Sequence, residues 1–206
     1  MDKTIIRDMQ DAKEYLYRHV AMSDALQRPE LFLKHTETVA NTALELTDRL
    51  GHKYPSFPVD PNEMCISGYV HDIGRPIAKN DLEQEFHAIV GPEYLKEQGH
   101  ERLGIITMAH SICPELVRIK GFQDYRYEDL LPIFWQQVIL TYADCIVDGE
   151  GNKVDLTKRF ADMGSRYTGT PTARALITGF PRIKNMENLL TNAINNIGDF
   201  GEFEFL

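Results

Sequence analysis

Apolar residues recur along this chain at three- and four-residue intervals, and no segment alternates convincingly as a strand would, so the pattern predicts helices nearly throughout. A first amphipathic helix is expected over about 4–20. A second, over about 29–50, carries Leu31, Val39, Leu44, Leu46 and Leu50 on its apolar positions and is expected to end on Gly51 as a C-terminal cap. Asp60-Pro61-Asn62-Glu63 reads as an N-cap, a first-turn proline and a capping-box acid. The helix it opens should run over about 61–72, with Gly74 supplying a left-handed stop. Asp81 with Gln84 suggests another capping box and a helix over about 82–98 closed by Gly99, followed by one over about 101–111. The apolar stretch 130–147 is a strong helix candidate, with Phe134, Trp135 and Tyr142 expected in the core. Asp155 and Thr170-Pro171 open two last helices, about 156–168 and 171–197. The short tail 200–206 is the one place where a strand is conceivable, and packing on its own domain or on a partner subunit both stay open.

Without repeats, low-complexity tracts or a long linker, the 206 residues suit one domain. The expected architecture is all-α: a single-domain helical bundle over 1–206, with a core over about 30–150 and C-terminal helices over about 155–197. Hydrophobic residues at 43% and charged ones at 26% exclude a disordered chain. A net charge of -9 argues against nucleic acid and anionic membrane as partners and favours a small substrate, for which bound metal would have to override the global charge. A bilayer-spanning apolar run and a secretory start are both missing, which gives the expectation of a cytoplasmic protein; a homodimer is left open. Cys65, Cys113 and Cys145 are widely spaced and form no C-x-x-C, so they read as reduced core residues.

The chemistry resides in the imidazoles and carboxylates. Metal-type side chains on the expected helices are, in order, His35, the adjacent pair His71 and Asp72, His87, His110 and Asp144. A helical bundle can direct inward-facing side chains from several helices at one cavity. Imidazole and carboxylate suit iron, manganese, cobalt, nickel and zinc, and the absence of thiolates disfavours a structural zinc role. His19, His52 and His100 have no motif support and read as surface or loop residues, and Gly91, four residues after His87, reads as a close-packing position.

His71-Asp72-Ile73-Gly74, the helix His87-Ala88-Ile89-Val90-Gly91-Pro92-Glu93-Tyr94-Leu95 and Tyr142-Ala143-Asp144 together resemble the HD-domain superfamily of metal-dependent phosphohydrolases, over about residues 30–150. The resemblance implies that His35, His71, Asp72 and Asp144 hold one divalent ion. With His87 and His110 present it implies a binuclear centre of iron, manganese, cobalt or nickel bridged by Asp72. The implied reaction is hydrolysis of a nucleotide or other small phosphate ester or anhydride by a metal-bound hydroxide, with Asp72 and Arg75 as catalytic residues. At Arg75 family members often carry lysine, which leaves that role open. Lys34, Arg75, Arg159 and Arg166 are the substrate-binding candidates, Lys153 and Arg174 are further basic candidates, and 155–159 with 165–167 suggest a polar helical face. Two alternatives share the ligand pattern: a mixed-valent di-iron oxygenase, for which a substrate-holding lysine would be sought near Arg75 or Pro114, and a regulatory nucleotide-binding protein with little turnover.

Overall fold

One helix has almost no solvent-facing side. In α3 (Pro61–Val70) every residue from 64 to 70 is buried, so its apolar residues cannot form a stripe and the helix must be enclosed by others. It is surrounded by α1 (Met9–Ala21), α2 (Pro29–Lys53), α7 (Glu101–Thr107) and α9 (Phe134–Cys145). The computed structural model describes residues 5–108, 110–121 and 134–195. Among these residues all regular structure is α-helical, apart from an isolated bridge between Val147 and Lys153. The remaining helices are α4 (Gly74–Ile77), α5 (Asp81–Glu85), α6 (His87–Glu97), α8 (Cys113–Ile119), α10 (Leu156–Arg166) and α11 (Pro171–Asn195).

The main core joins Val39, Ala43, Leu46 and Leu50 of α2 to Met64, Ile106 and the α9 residues Trp135, Val138, Ile139 and Leu140. Each such side chain contributes about 1.5–3 kcal/mol on full burial. A second core joins α1 to α3 through Tyr15, Leu16, Val20, Cys65 and Val70. The long α11 reaches back over α2, α8, α9 and α10, with Leu176 and Ile183 packed against Leu156 and Phe160.

Several expected boundaries move, each for a visible reason. Gly51 does not cap α2, which continues to Lys53 with Tyr54 donating its N–H to Leu50. The helix expected over 82–98 is two, because the chain turns at Phe86. Asn80 rather than Asp81 caps the first of these, its side chain accepting from the Glu83 N–H, whereas Gly99, at φ +92°, does terminate α6. Asp60 and Asp155 cap α3 and α10 as expected. The helix expected over 101–111 stops at Thr107, and α8 was not anticipated. Phe134 is 38% exposed and Tyr142 only half-buried, so of the three aromatics placed in the core Trp135 alone is fully there. The three cysteines are free and buried. His19 is not a surface residue: it is half-buried, with Nδ1 2.8 Å from the Tyr15 carbonyl and Nε2 2.9 Å from the Tyr94 hydroxyl. His100 is likewise half-buried, against the Tyr15 ring. The tail 200–206 and residues 130–133 lie outside the described residues.

Candidate metal centre

Two close helix contacts bring the histidines and aspartates together, and glycine permits both. A Cβ on Gly68 would lie 2.4 Å from Ala40 Cα, so α2 and α3 touch backbone to backbone there. That contact sets His35 of α2 beside His71, which caps α3, with ring centroids 5.7 Å apart. Gly74 is not the left-handed stop expected of it; it begins α4 in ordinary right-handed geometry. Its lack of a side chain is needed because a Cβ would meet the His87 carbonyl oxygen at 2.2 Å and the Gly91 nitrogen at 2.8 Å. Gly91 has the reciprocal contact, 2.6 Å to the Gly74 nitrogen, which is the close packing expected of it. This second contact fixes Asp72 against the start of α6, where His87 sits.

All four imidazoles are held by the same nitrogen. His71, His87 and His110 place Nδ1 at 2.7, 2.9 and 2.9 Å from the carbonyls of Gly68, Gln84 and Thr107, each three residues back. His35 places Nδ1 2.9 Å from the carbonyl of Asp148. A carbonyl only accepts, so Nδ1 carries the proton, and in the neutral ring Nε2 keeps its lone pair. This is the arrangement by which backbone carbonyls orient metal-binding histidines. The Asp148 carbonyl is itself fixed, since its side chain accepts from the Glu150 and Asn152 N–H groups and the loop is tied to α2 by Thr38 Oγ1 donating to the Gly151 carbonyl.

The four Nε2 atoms face two carboxylates. Asp72 Oδ1 lies 3.0 Å from His87 Nε2, 3.2 Å from His110 Nε2 and 3.9 Å from His71 Nε2. Asp144 Oδ1 lies 3.2 Å from His35 Nε2 and 3.7 Å from His71 Nε2. His71 is thus central to two groups of convergent ligand atoms, one with His35 and Asp144, the other with Asp72 and His110. Asp72 Oδ2 accepts a 2.7 Å bond from Arg75 Nε, so Arg75 supports the carboxylate as well as facing the cavity. Burial opposes ionisation of both aspartates but is outweighed, by Arg75 and the imidazoles at Asp72 and by His35 and His71 at Asp144, and both carboxyls are held well below their usual range. Burial also pulls on His35 and His110, where the facing aspartates prevail and raise the pKa. At His87 burial and Arg75 prevail and lower it.

His71 Nε2 is fully buried and has no hydrogen-bond partner among the described residues. A buried nitrogen of this kind costs about 1–3 kcal/mol unless something binds it. Its lone pair, with three more Nε2 atoms and two ionised carboxylates around it, forms an N/O donor set that fits a divalent transition metal.

The cluster forms the floor of a cavity of about 440 Å³. Arg75 and Arg159 both line it. Lys34 and Arg166 do not: Lys34 is exposed and reaches Asn152 Oδ1 at 3.4 Å, and Arg166 pairs with Asp162 on the outer face of α10 at 2.9 Å. Lys153 pairs with Glu45, and Arg174 is exposed. The lining also includes Met163, Tyr167, Thr172 and Leu176 from α10, α11 and the turn between them, none of which the sequence singled out for the site. The spacing of Arg159, Met163 and Tyr167, four residues each, was the available signal for one helix face.

A family model described as HD domain matches residues 32–146, more than half the chain and spanning all six clustered residues. No curated protein and no solved structure matches.

Proposed function

The chain belongs to the HD domain family, whose members are commonly metal-dependent phosphohydrolases, and on that premise we propose that it hydrolyses a small phosphate ester or anhydride, such as a nucleotide, at a binuclear metal centre. The observation that carries this reading is the convergence of four Nε2 lone pairs on two carboxylates, with His71 Nε2 left without a hydrogen-bond partner among the described residues, at a cavity within the usual size range for small ligands.

In this reading His35, His71, Asp72 and Asp144 would hold one ion, and Asp72, His87 and His110 would hold the second; iron, manganese, cobalt or nickel suits the donors. Such ions supply Lewis acidity toward phosphoryl oxygens and bring a water within reach of ionisation near neutral pH. Two divalent charges against two carboxylates leave a local positive surplus, which attracts an anionic substrate to a protein whose net charge is -9. The carbonyl-anchored Nδ1 atoms keep the rings from turning, so the chain presents its donors without reorganisation. Arg75 orients Asp72 through Nε, and the rest of its planar guanidinium, on a side chain 39% exposed, faces phosphoryl oxygen. The apolar wall of Met163 and Leu176 limits water around the bound substrate.

The test is phosphate release from a panel of phosphate monoesters, nucleotides and phosphoanhydrides, with manganese, cobalt, nickel or ferrous iron supplied. Release that disappears in His71→Ala and in Asp72→Ala supports the reading. Oxygen consumption with reduced iron, and no phosphate released, would overturn it in favour of an oxygenase. Nucleotide binding without any product would point instead to a regulatory protein.

A further inference from the structure

The cavity that holds the metal-type cluster is also lined by an arginine with an unmet N–H. Arg159, Met163 and Tyr167 follow one another at four-residue spacing along α10, so one face of that helix looks into the cavity, and all three line it. Arg159 Nε is shut off from solvent and has no hydrogen-bond partner among the described residues. Asp148 is close enough for Arg159 to help lower its pKa, but it makes no hydrogen bond to Arg159, and the nearby carboxylates have other partners. Asp155 accepts from the Lys158 N–H, Asp162 pairs with Arg166, Asp148 accepts from Glu150 and Asn152, and Asp144 faces His35 and His71. Other guanidiniums near the cavity are paired: Arg75 with Asp72, and Arg182 with Glu115. A guanidinium with a desolvated, unmet N–H is destabilising as it stands and becomes favourable once an oxyanion reaches it.

We infer that the substrate carries a second oxyanion, apart from the phosphoryl group at the cluster, and that Arg159 receives it. This rests on the phosphohydrolase reading of the same cavity. Two cations lining the cavity divide the work. Arg75 is tied to Asp72 and belongs to the reacting group, whereas Arg159 comes from α10, outside the segment matching the HD domain, and has no hydrogen bond or ion pair to any of the six clustered residues. Ile112, Leu116, Met163 and Leu176 provide apolar surface for the body of the molecule. The ligand is therefore a phosphorylated compound whose other end is a further phosphoryl group or a carboxylate.

The test compares three substrate types on the manganese-loaded protein: a monoester of a neutral alcohol such as glycerol phosphate, a nucleoside diphosphate, and a phosphorylated hydroxy acid such as phosphoserine. One or both of the doubly anionic types should show kcat/KM roughly tenfold or more above the neutral-alcohol ester, the size of one charge-assisted hydrogen bond. Arg159→Met should remove that advantage through KM, lowering kcat/KM for the doubly anionic types roughly tenfold more than for the neutral-alcohol ester, and Arg159→Lys should restore part of it. Which doubly anionic type prevails identifies the second group as phosphoryl or carboxylate. Equal kcat/KM across the types, or an advantage that survives Arg159→Met, would overturn the inference with hydrolysis intact. If no phosphate is released from any compound, the phosphohydrolase reading fails separately, and calorimetry still decides the inference. Methylenediphosphonate should then bind more tightly than methylphosphonate to the wild type and equally in Arg159→Met; equal binding in the wild type would refute it.

Discussion

Replacing Arg182 by alanine should loosen the protein at the point where its C-terminal helix holds the metal-type cluster. Arg182 of α11 donates from Nε to Glu115 Oε1 at 2.8 Å and from Nη2 to Glu115 Oε2 at 2.9 Å, a two-point pair. The same Nη2 donates to the Ser111 carbonyl at 2.6 Å. Ser111 follows His110 directly and sits at φ +56°, left-handed backbone that a side-chain-bearing residue adopts only when its surroundings hold it there. Gly179 makes room for the pair, since a Cβ there would stand 3.1 Å from the Glu115 carboxylate. With the Glu115 side chain 9% exposed and that of Arg182 23%, Arg182→Ala leaves a buried carboxylate unpaired, which costs about 3–5 kcal/mol. Water entering where the arginine was partly exposed brings the expected loss to about 3 kcal/mol, or roughly 6–12 °C in Tm for a domain of this size. Urea denaturation should show the midpoint falling with the m-value unchanged. The double variant Arg182→Met with Glu115→Leu should recover more than half of the loss, because it removes the orphaned charge along with its partner. A single-variant loss under about 1 kcal/mol, or a double variant no better than the single, would refute the reasoning.

Other perturbations test the assembly of the site. Gly74→Ala should cost about 1–3 kcal/mol and weaken metal binding at the His87 side, since the new Cβ meets the His87 carbonyl at 2.2 Å and backbone must move; binding equal to wild type by metal titration would contradict this. Gly51→Ala should instead stabilise by about 0.4–1 kcal/mol, because the position is helical with nothing within 4 Å; thermal melts showing destabilisation would mean that Gly51 is a left-handed cap after all. The metal-free protein should be most stable in a mildly acidic window. His35 and His110 are raised above 6.5, so their contribution is complete below that pH and is lost as pH rises through the folded values. Asp72 and Asp144 are lowered below 3.8, so theirs is present above that pH and is lost as pH falls toward the folded values. His87, lowered, works against the two raised histidines in the same acidic range. Metal needs the Nε2 atoms unprotonated, so loading should move the stability maximum toward neutral and higher pH; thermal melts with coincident pH profiles in chelator and in manganese would contradict this.

How much of this was legible follows from what each residue type signals. The caps at Asp60 and Asp155 and the terminator Gly99 were readable because their chemistry is local. Gly74 was singled out for the wrong reason: a glycine beside a helix end suggests a left-handed stop, whereas here it serves a contact with His87, thirteen residues on, that only the tertiary structure shows. Gly68 gave no signal at all, being one small residue inside an apolar helix, yet it is what lets α2 approach α3. The six clustered residues were found by side-chain type and by their order in motifs resembling the HD family, and they do come together. Basic residues were harder, since any polar helix face carries them. Of the four substrate-binding candidates, Arg75 and Arg159 reach the cavity while Lys34 and Arg166 face solvent. The pairing of Arg182 with Glu115 spans 67 residues and joins two helices that no local pattern relates.

Metal bound by these imidazoles and carboxylates is what the proposed chemistry requires. Protein purified without chelator, reloaded with manganese or ferrous iron and freed of excess, should contain about two ions per chain by elemental analysis. His87→Ala should lower that to about one, and His71→Ala should bring it lower still. A wild-type protein that retains no stoichiometric metal under these conditions, or one whose metal content is unchanged in His71→Ala, would contradict the assignment of the cluster as a metal centre.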